Sequence, residues 1–202
     1  TRVSELVTYA EKAWKYFEPG IGVDQETGLN YANYAPPFGG WKCLTEWDLG
    51  CYIMAIIDAE RLEILSPEGD WGADYRIEKV LTFMEEREIH ETGVPYLSYK
   101  STSGEPNNLE STNKYDVGRL LVALNHLKKE KPQQASRVDK IIHQRYNLTG
   151  LANALSQSSN PENYYLAVGY NYFGFNSTNI HTCLGNPRRM MEGEQIDVYG
   201  VS

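Results

Sequence analysis

Long apolar runs are missing from this chain of 202 residues: no stretch approaches the roughly 18 residues of a membrane span. Cysteine is scarce, and the three present (Cys43, Cys51 and Cys183) are an odd number that cannot all pair with one another. The four histidines, His90, His126, His143 and His181, are scattered and share no ligand spacing with those cysteines, so neither a metal nor another cofactor is expected. Basic residues are in the minority, with 19 Lys and Arg against 27 Asp and Glu, and they form no stripe. A net charge of −8 therefore excludes a general nucleic-acid binder, which needs clustered cations to neutralise phosphates. No Ser sits in a G-x-S-x-G elbow, and no Gly-rich loop ends in the Lys-Ser/Thr of a phosphate cradle. A leader pattern is also missing, and the chain opens at Thr1 without Met, which predicts a processed or excised segment.

What is present is ordinary globular material, with 41% apolar and 23% charged residues. Aromatics are plentiful, at 15 Tyr and 4 Trp, and many fall in loops rather than at helical core spacing. That placement fits a surface for flat, partly apolar ligands such as sugars; the plainer alternative is a Tyr-rich rim of the core. Two N-x-S/T sequons begin at Asn147 and Asn176 and constrain the compartment only weakly.

A repeat organises the chain. One copy reads AWKYF, then ETGLNYANY, then LTEWDLGCYIMAIIDAERL; the next reads VLTFMEEREIHETGVPYLSY, then STNKYDVGRLLVALNHLKK. Thr27-Gly28 matches Thr92-Gly93, and Asp48 matches Asp116. A fainter third copy runs from a helix near Val138–Tyr146 through Leu148-Thr149-Gly150-Leu151 to Tyr164-Tyr165-Leu166-Ala167, without the carboxylate. Self-similarity of this period signals stacked helical hairpins. Leu6, Ala10, Ala13, Trp14 and Phe17 fall on one helical face, as do Ile77, Val80, Leu81 and Met84. By contrast, Leu49, Cys51, Tyr52, Ile53, Met54, Ile56 and Ile57 wrap most of a circumference, the mark of a helix covered on several sides. The first helix of each pair is thus expected outside and the second inside. The predicted fold is all-α: repeated α-hairpins forming a partial or complete α/α toroid, with short strands in the loops. One domain over 1–202 is expected, with residues 187–202, apolar again at Ile196–Val201, as a docking tail.

Asp48 and Asp116 each fall in the first turn of an inner helix, and such N-termini all point to one mouth. Two carboxylates flanking a bond are what glycoside hydrolysis requires, one donating a proton to the leaving oxygen and the other activating water or attacking. Glu46 and Glu110, just before or at the inner-helix starts, are the further candidate acids. Trp41, Trp47, Tyr31, Tyr34, Tyr96, Tyr99 and Tyr115 are the candidate sugar platforms. A structural reading competes at both Asp residues: Thr45-x-x-Asp48 and Asn113-x-x-Asp116 look like capping boxes, and a first-turn carboxylate complements the helix dipole.

TEWDLGCYIMAIIDAERLEIL, GVPYLSYKSTSGEP with ESTNKYDVGRLLVAL, and ENYYLAVGYNYFGF resemble, in order, successive segments of glucoamylase-like α/α toroid proteins. The similarity covers residues 5 to 175. It implies a toroid of helical hairpins, a carbohydrate-facing mouth, glycosidase activity in some members, an oligo- or polysaccharide partner and an extracytoplasmic location. The chain departs from the pattern by supplying about half the helices of a closed ring, and Cys51 and Arg119 follow the two Asp-x-Gly units at variable positions. The resulting expectation is a carbohydrate-active domain, a glycoside hydrolase with an acid/base carboxylate pair. The alternatives are a non-catalytic glycan-binding module and a helical protein-interaction scaffold. A half ring is also expected to self-associate or to dock on a missing second half.

Overall fold

A computed structural model of the chain describes residues 2–35, 37–113, 115–153, 155 and 161–192. Helix α1 (Arg2–Trp14) runs into a short 3₁₀ turn and a loop. Two antiparallel strands follow, β1 (Asn33–Ala35) and β2 (Gly39–Trp41), with Asn33 opposite Trp41. Strand β3 (Cys43–Leu44) then leads into α2 (Glu46–Arg61), and α3 (Ala73–Glu86) begins the second copy. Strand β4 (Tyr99–Lys100) pairs antiparallel with β3 and precedes α4 (Asp116–Glu130). The third copy contributes α5 (Ala135–Arg145), α6 (Leu148–Asn153) and α7 (Pro161–Tyr172), followed by α8 (Thr178–Leu184) and α9 (Asn186–Met191).

The inner layer is α2, α4 and α7, each packed on the next, and α3 and α5 lie outside it. Leu49, Tyr52, Ile53, Ile56 and Ile57 of α2 are buried, as their spread around the helix predicts. Val117, Leu120, Leu121, Leu124 and Leu127 do the same for α4, while α3 buries the stripe Ile77, Val80, Leu81 and Met84 together with Ala73, Arg76 and Phe83. The fold is all-α, an arc of stacked hairpins.

The Asp-x-Gly units set the spacing of that arc. A side chain at Gly50 would meet the α4 backbone, with Leu120 Cα 3.2 Å away. At Gly118 the α7 backbone is closer still, with Leu166 Cα 2.4 Å from where a Cβ would stand. Glycine at the same repeat position thus lets each inner helix press against the next. The Thr-Gly loops tie neighbouring copies together: Thr27 Oγ1 donates to the Ser101 carbonyl at 2.6 Å, and the Asn147 N–H donates to the Gly93 carbonyl at 2.9 Å. Gly28 and Gly93 both take positive φ, 76° and 75°, where glycine is favoured.

Two elements differ from the sequence-based expectation. The stripe of α1 and the turn after it is not buried: Leu6 is 60% exposed, Ala13 is exposed, and Ala10, Trp14 and Phe17 are half-buried, because the arc supplies little cover on that side. In the third copy the Thr-Gly landmark Leu148-Thr149-Gly150-Leu151 lies within a short helix, α6, rather than in a loop as in the first two copies. The proposed apolar tail at 196–201 lies outside the described residues.

Candidate functional site

Thr45, in extended conformation, caps α2 with its hydroxyl, which accepts from the Trp47 and Asp48 amides at 3.2 and 3.4 Å. Asp48 closes the box in return: its Oδ2 accepts from the Thr45 amide at 2.9 Å and the Thr45 hydroxyl at 3.0 Å. The equivalent turn before α4 uses Asn113, whose Oδ1 accepts from the Tyr115 and Asp116 amides, both at 3.1 Å. Its Nδ2 donates to Asp116 Oδ2 at 2.7 Å. Both aspartates therefore serve their helix caps. Each does so with Oδ2, and among the described residues Oδ1 of neither accepts a hydrogen bond.

The two carboxyls share a neighbourhood. Burial pushes the Asp48 pKa up, the bonds from Thr45 pull against that, and the negative charge of Asp116 adds to the rise. Asp48 is half-buried, and burial is the largest cause of that rise. Trp47, 41% exposed, and Tyr115, 51% exposed, stand immediately before the two aspartates.

A side-chain cluster spans the three inner helices. Arg119 lies three residues after Asp116, hence on the same face of α4. Its Nη1 donates to the Tyr165 hydroxyl on α7 at 2.6 Å, and its Nη2 faces Cys51 Sγ on α2 at 3.8 Å. The guanidinium lies over the rings of Trp47 and Tyr165, 5.4 and 5.2 Å from their centroids, and those rings are 6.4 Å apart. Sequence reasoning noted Cys51 and Arg119 only as variable positions and gave Tyr165 no role in the site. The i, i+3 spacing of Asp48 with Cys51 and of Asp116 with Arg119 was the available signal.

The other candidate residues lie elsewhere. Glu46 is fully buried and bonded to both Nη atoms of Arg87, at 2.5 and 2.9 Å, with the Tyr146 hydroxyl at 3.2 Å; packing seals it from any ligand. Glu110 is exposed in the loop before α4, its amide donating to Asn108 Oδ1. Tyr99 is fully buried, its hydroxyl donating to the Glu88 carbonyl, and burial pushes its pKa up to about 12. Tyr96 is buried and bonded to the Glu88 carboxylate, and Tyr31 is buried with its hydroxyl on Asp24. These three tyrosines belong to the core and its rim, not to a sugar platform, because their ring faces are covered. Trp41, 40% exposed on β2, and half-buried Tyr34, beneath Lys42, keep accessible surface.

A cleft of about 390 Å³ lies between α3 and the loops of Thr27 and Ser103–Pro106; neither Asp48 nor Asp116 lines it. Among the described residues no three His, Cys, Asp or Glu side chains gather as metal ligands, and no helix is long and apolar enough to cross a membrane.

A family model described as "Protein of unknown function (DUF3131)" matches residues 8–180. No curated protein matches the chain. Among solved structures it is similar to a "putative glucoamylase from Bacteroides fragilis NCTC 9343", with 19% sequence identity and a TM-score of 0.60. That likeness covers 78% of this chain but only 39% of the other, so the chain spans well under half of its structural neighbour. At this identity it is the fold that is shared: hairpins arranged as in a glucoamylase-like toroid.

Proposed function

The chain belongs to that family of unknown function, and we propose that it is a carbohydrate-active domain whose glycan lies across the N-terminal mouth of α2 and α4. One observation supports the reading: two repeat-equivalent aspartates lie close enough for the charge of Asp116 to act on Asp48, each committing one oxygen to its helix cap and keeping the other without a bond among the described residues. Burial favours a proton on Asp48, which suits it to protonate a leaving glycosidic oxygen. Asp116 is then the partner that activates water or attacks the sugar. Trp47 and Tyr115, exposed beside them, offer rings on which the apolar face of a sugar can stack. The glucoamylase name borne by the structural neighbour agrees with a glycosidase on this fold.

The test is a panel of neutral and acidic oligosaccharides, followed both for binding and for release of reducing ends. Asp48→Asn and Asp116→Asn are each expected to lower cleavage at least a hundredfold with binding retained, and Trp47→Ala to weaken binding about tenfold. Binding that no member of the panel shows would remove the proposal. Binding without cleavage would favour the glycan-binding module.

A further inference from the structure

We propose that Arg119, in the cluster across the three inner helices, is an oxyanion-recognition residue, and that the glycan it takes is acidic, carrying a carboxylate or sulfate group. The inference rests on the carbohydrate reading above and narrows it to a substrate class.

The argument starts from how arginines are satisfied in this molecule. Arg61, Arg87, Arg137 and Arg188 each pair with a carboxylate. Arg76 and Arg145 each donate to two backbone carbonyls. Arg119 has neither: its partners among the described residues are one phenol oxygen and one thiol, both poor counterparts for a cation. Its Nε–H is buried and has no acceptor among the described residues. Asp116 sits a single helical turn away on the same face and yet forms no ion pair with it among the described residues. A guanidinium has five N–H donors in a planar fork that matches an oxyanion two bonds at a time. Here most of that capacity is unused.

The surroundings fit an anion on a sugar better than a free ion. Trp47 and Tyr165, 41% and 40% exposed, flank the guanidinium, so a pyranose ring stacked on either would carry a substituent to the fork. The same rings thin the water around the charge, which strengthens any bond made there.

The experiment is calorimetric titration with uronic-acid oligosaccharides, each compared with its own methyl ester, and with a sulfated neutral oligosaccharide. The ester keeps the sugar and removes only the charge. Wild-type protein is expected to bind an acid, or the sulfated sugar, at least tenfold more tightly than its uncharged counterpart, the worth of a charge-assisted hydrogen bond. In Arg119→Gln that preference should shrink to about twofold or less, and Arg119→Lys, which keeps charge but loses the fork, should fall between. Thermal unfolding of both variants identifies any loss due to misfolding. Equal affinity for charged and uncharged forms in wild type, or a preference that survives Arg119→Gln, overturns the inference and leaves the carbohydrate reading standing. No binding of any glycan removes both.

Discussion

Opposing pulls act on the carboxyl of Asp48. Burial and the nearby charge of Asp116 disfavour its ionised form, and the two bonds from Thr45 favour it; burial prevails, so the folded-state pKa lies above the ordinary 3.8. A carboxyl that binds its proton more tightly folded than unfolded adds stability below its unfolded pKa and loses it as pH rises through the folded value. Lowering the pH from about 7 to about 4 should therefore shift the Tm difference between wild type and Asp48→Asn in favour of wild type. At neutral pH the substitution should cost at most about 1 kcal/mol, since Asn also accepts in a cap. Melting curves of both proteins across the range measure this directly. A difference that stays flat would mean that Asp48 is as solvated as an unfolded side chain.

Inner helices are matched to one another through glycines at each contact: Gly50 between α2 and α4, and Gly118 against Gly169 between α4 and α7. Adding a methyl at Gly118 puts it 2.4 Å from Leu166 Cα, an atom that moves only with the α7 backbone. The same addition at Gly50 meets Leu120 Cα at 3.2 Å, which a shift of a few tenths of an ångström relieves. Alanine also raises helix propensity by about 1 kcal/mol, offsetting the milder clash. Gly118→Ala is thus expected to destabilise by about 1–3 kcal/mol, and Gly50→Ala to be close to neutral, in urea unfolding. Equal losses would show that the two interfaces are equally tight. The repeat in the sequence announces both glycines, but it does not rank them.

Across the whole molecule the three copies are fastened at one buried point. Glu46 from α2, Arg87 just after α3 and Tyr146 just after α5 bond to one another, with Glu46 and Arg87 wholly out of water. Burial pulls the Arg87 pKa down, and the charge of Glu46 more than restores it, so Arg87 stays charged. Removing one charge strands the other in a low-dielectric interior. Glu46→Gln should therefore cost about 3–5 kcal/mol, and Glu46→Gln with Arg87→Met should recover most of that loss. Urea unfolding of the single and double variants tests it; a single variant near wild type would mean that water reaches the pair. The same geometry explains why Glu46, which sequence position alone makes a plausible acid, is not part of the proposed mouth.

Features encoded within about one hairpin could be read from the chain alone. The repeat, the apolar circumference of α2, the stripe of α3, the glycine turns at Gly28 and Gly93, and the two first-turn aspartates with their caps all follow from spacing, because helix periodicity and capping are local physics. Exposure is different. Whether a tyrosine stays exposed, as Tyr115 does, or is packed away, as Tyr99 is, depends on atoms brought in from elsewhere in the chain. Arg87 reaches Glu46 across 41 residues, and Arg119 finds Cys51 and Tyr165 across 68 and 46. No periodicity encodes such meetings. They exist only once the inner helices have packed, and they decide which side chains are core and which stay exposed.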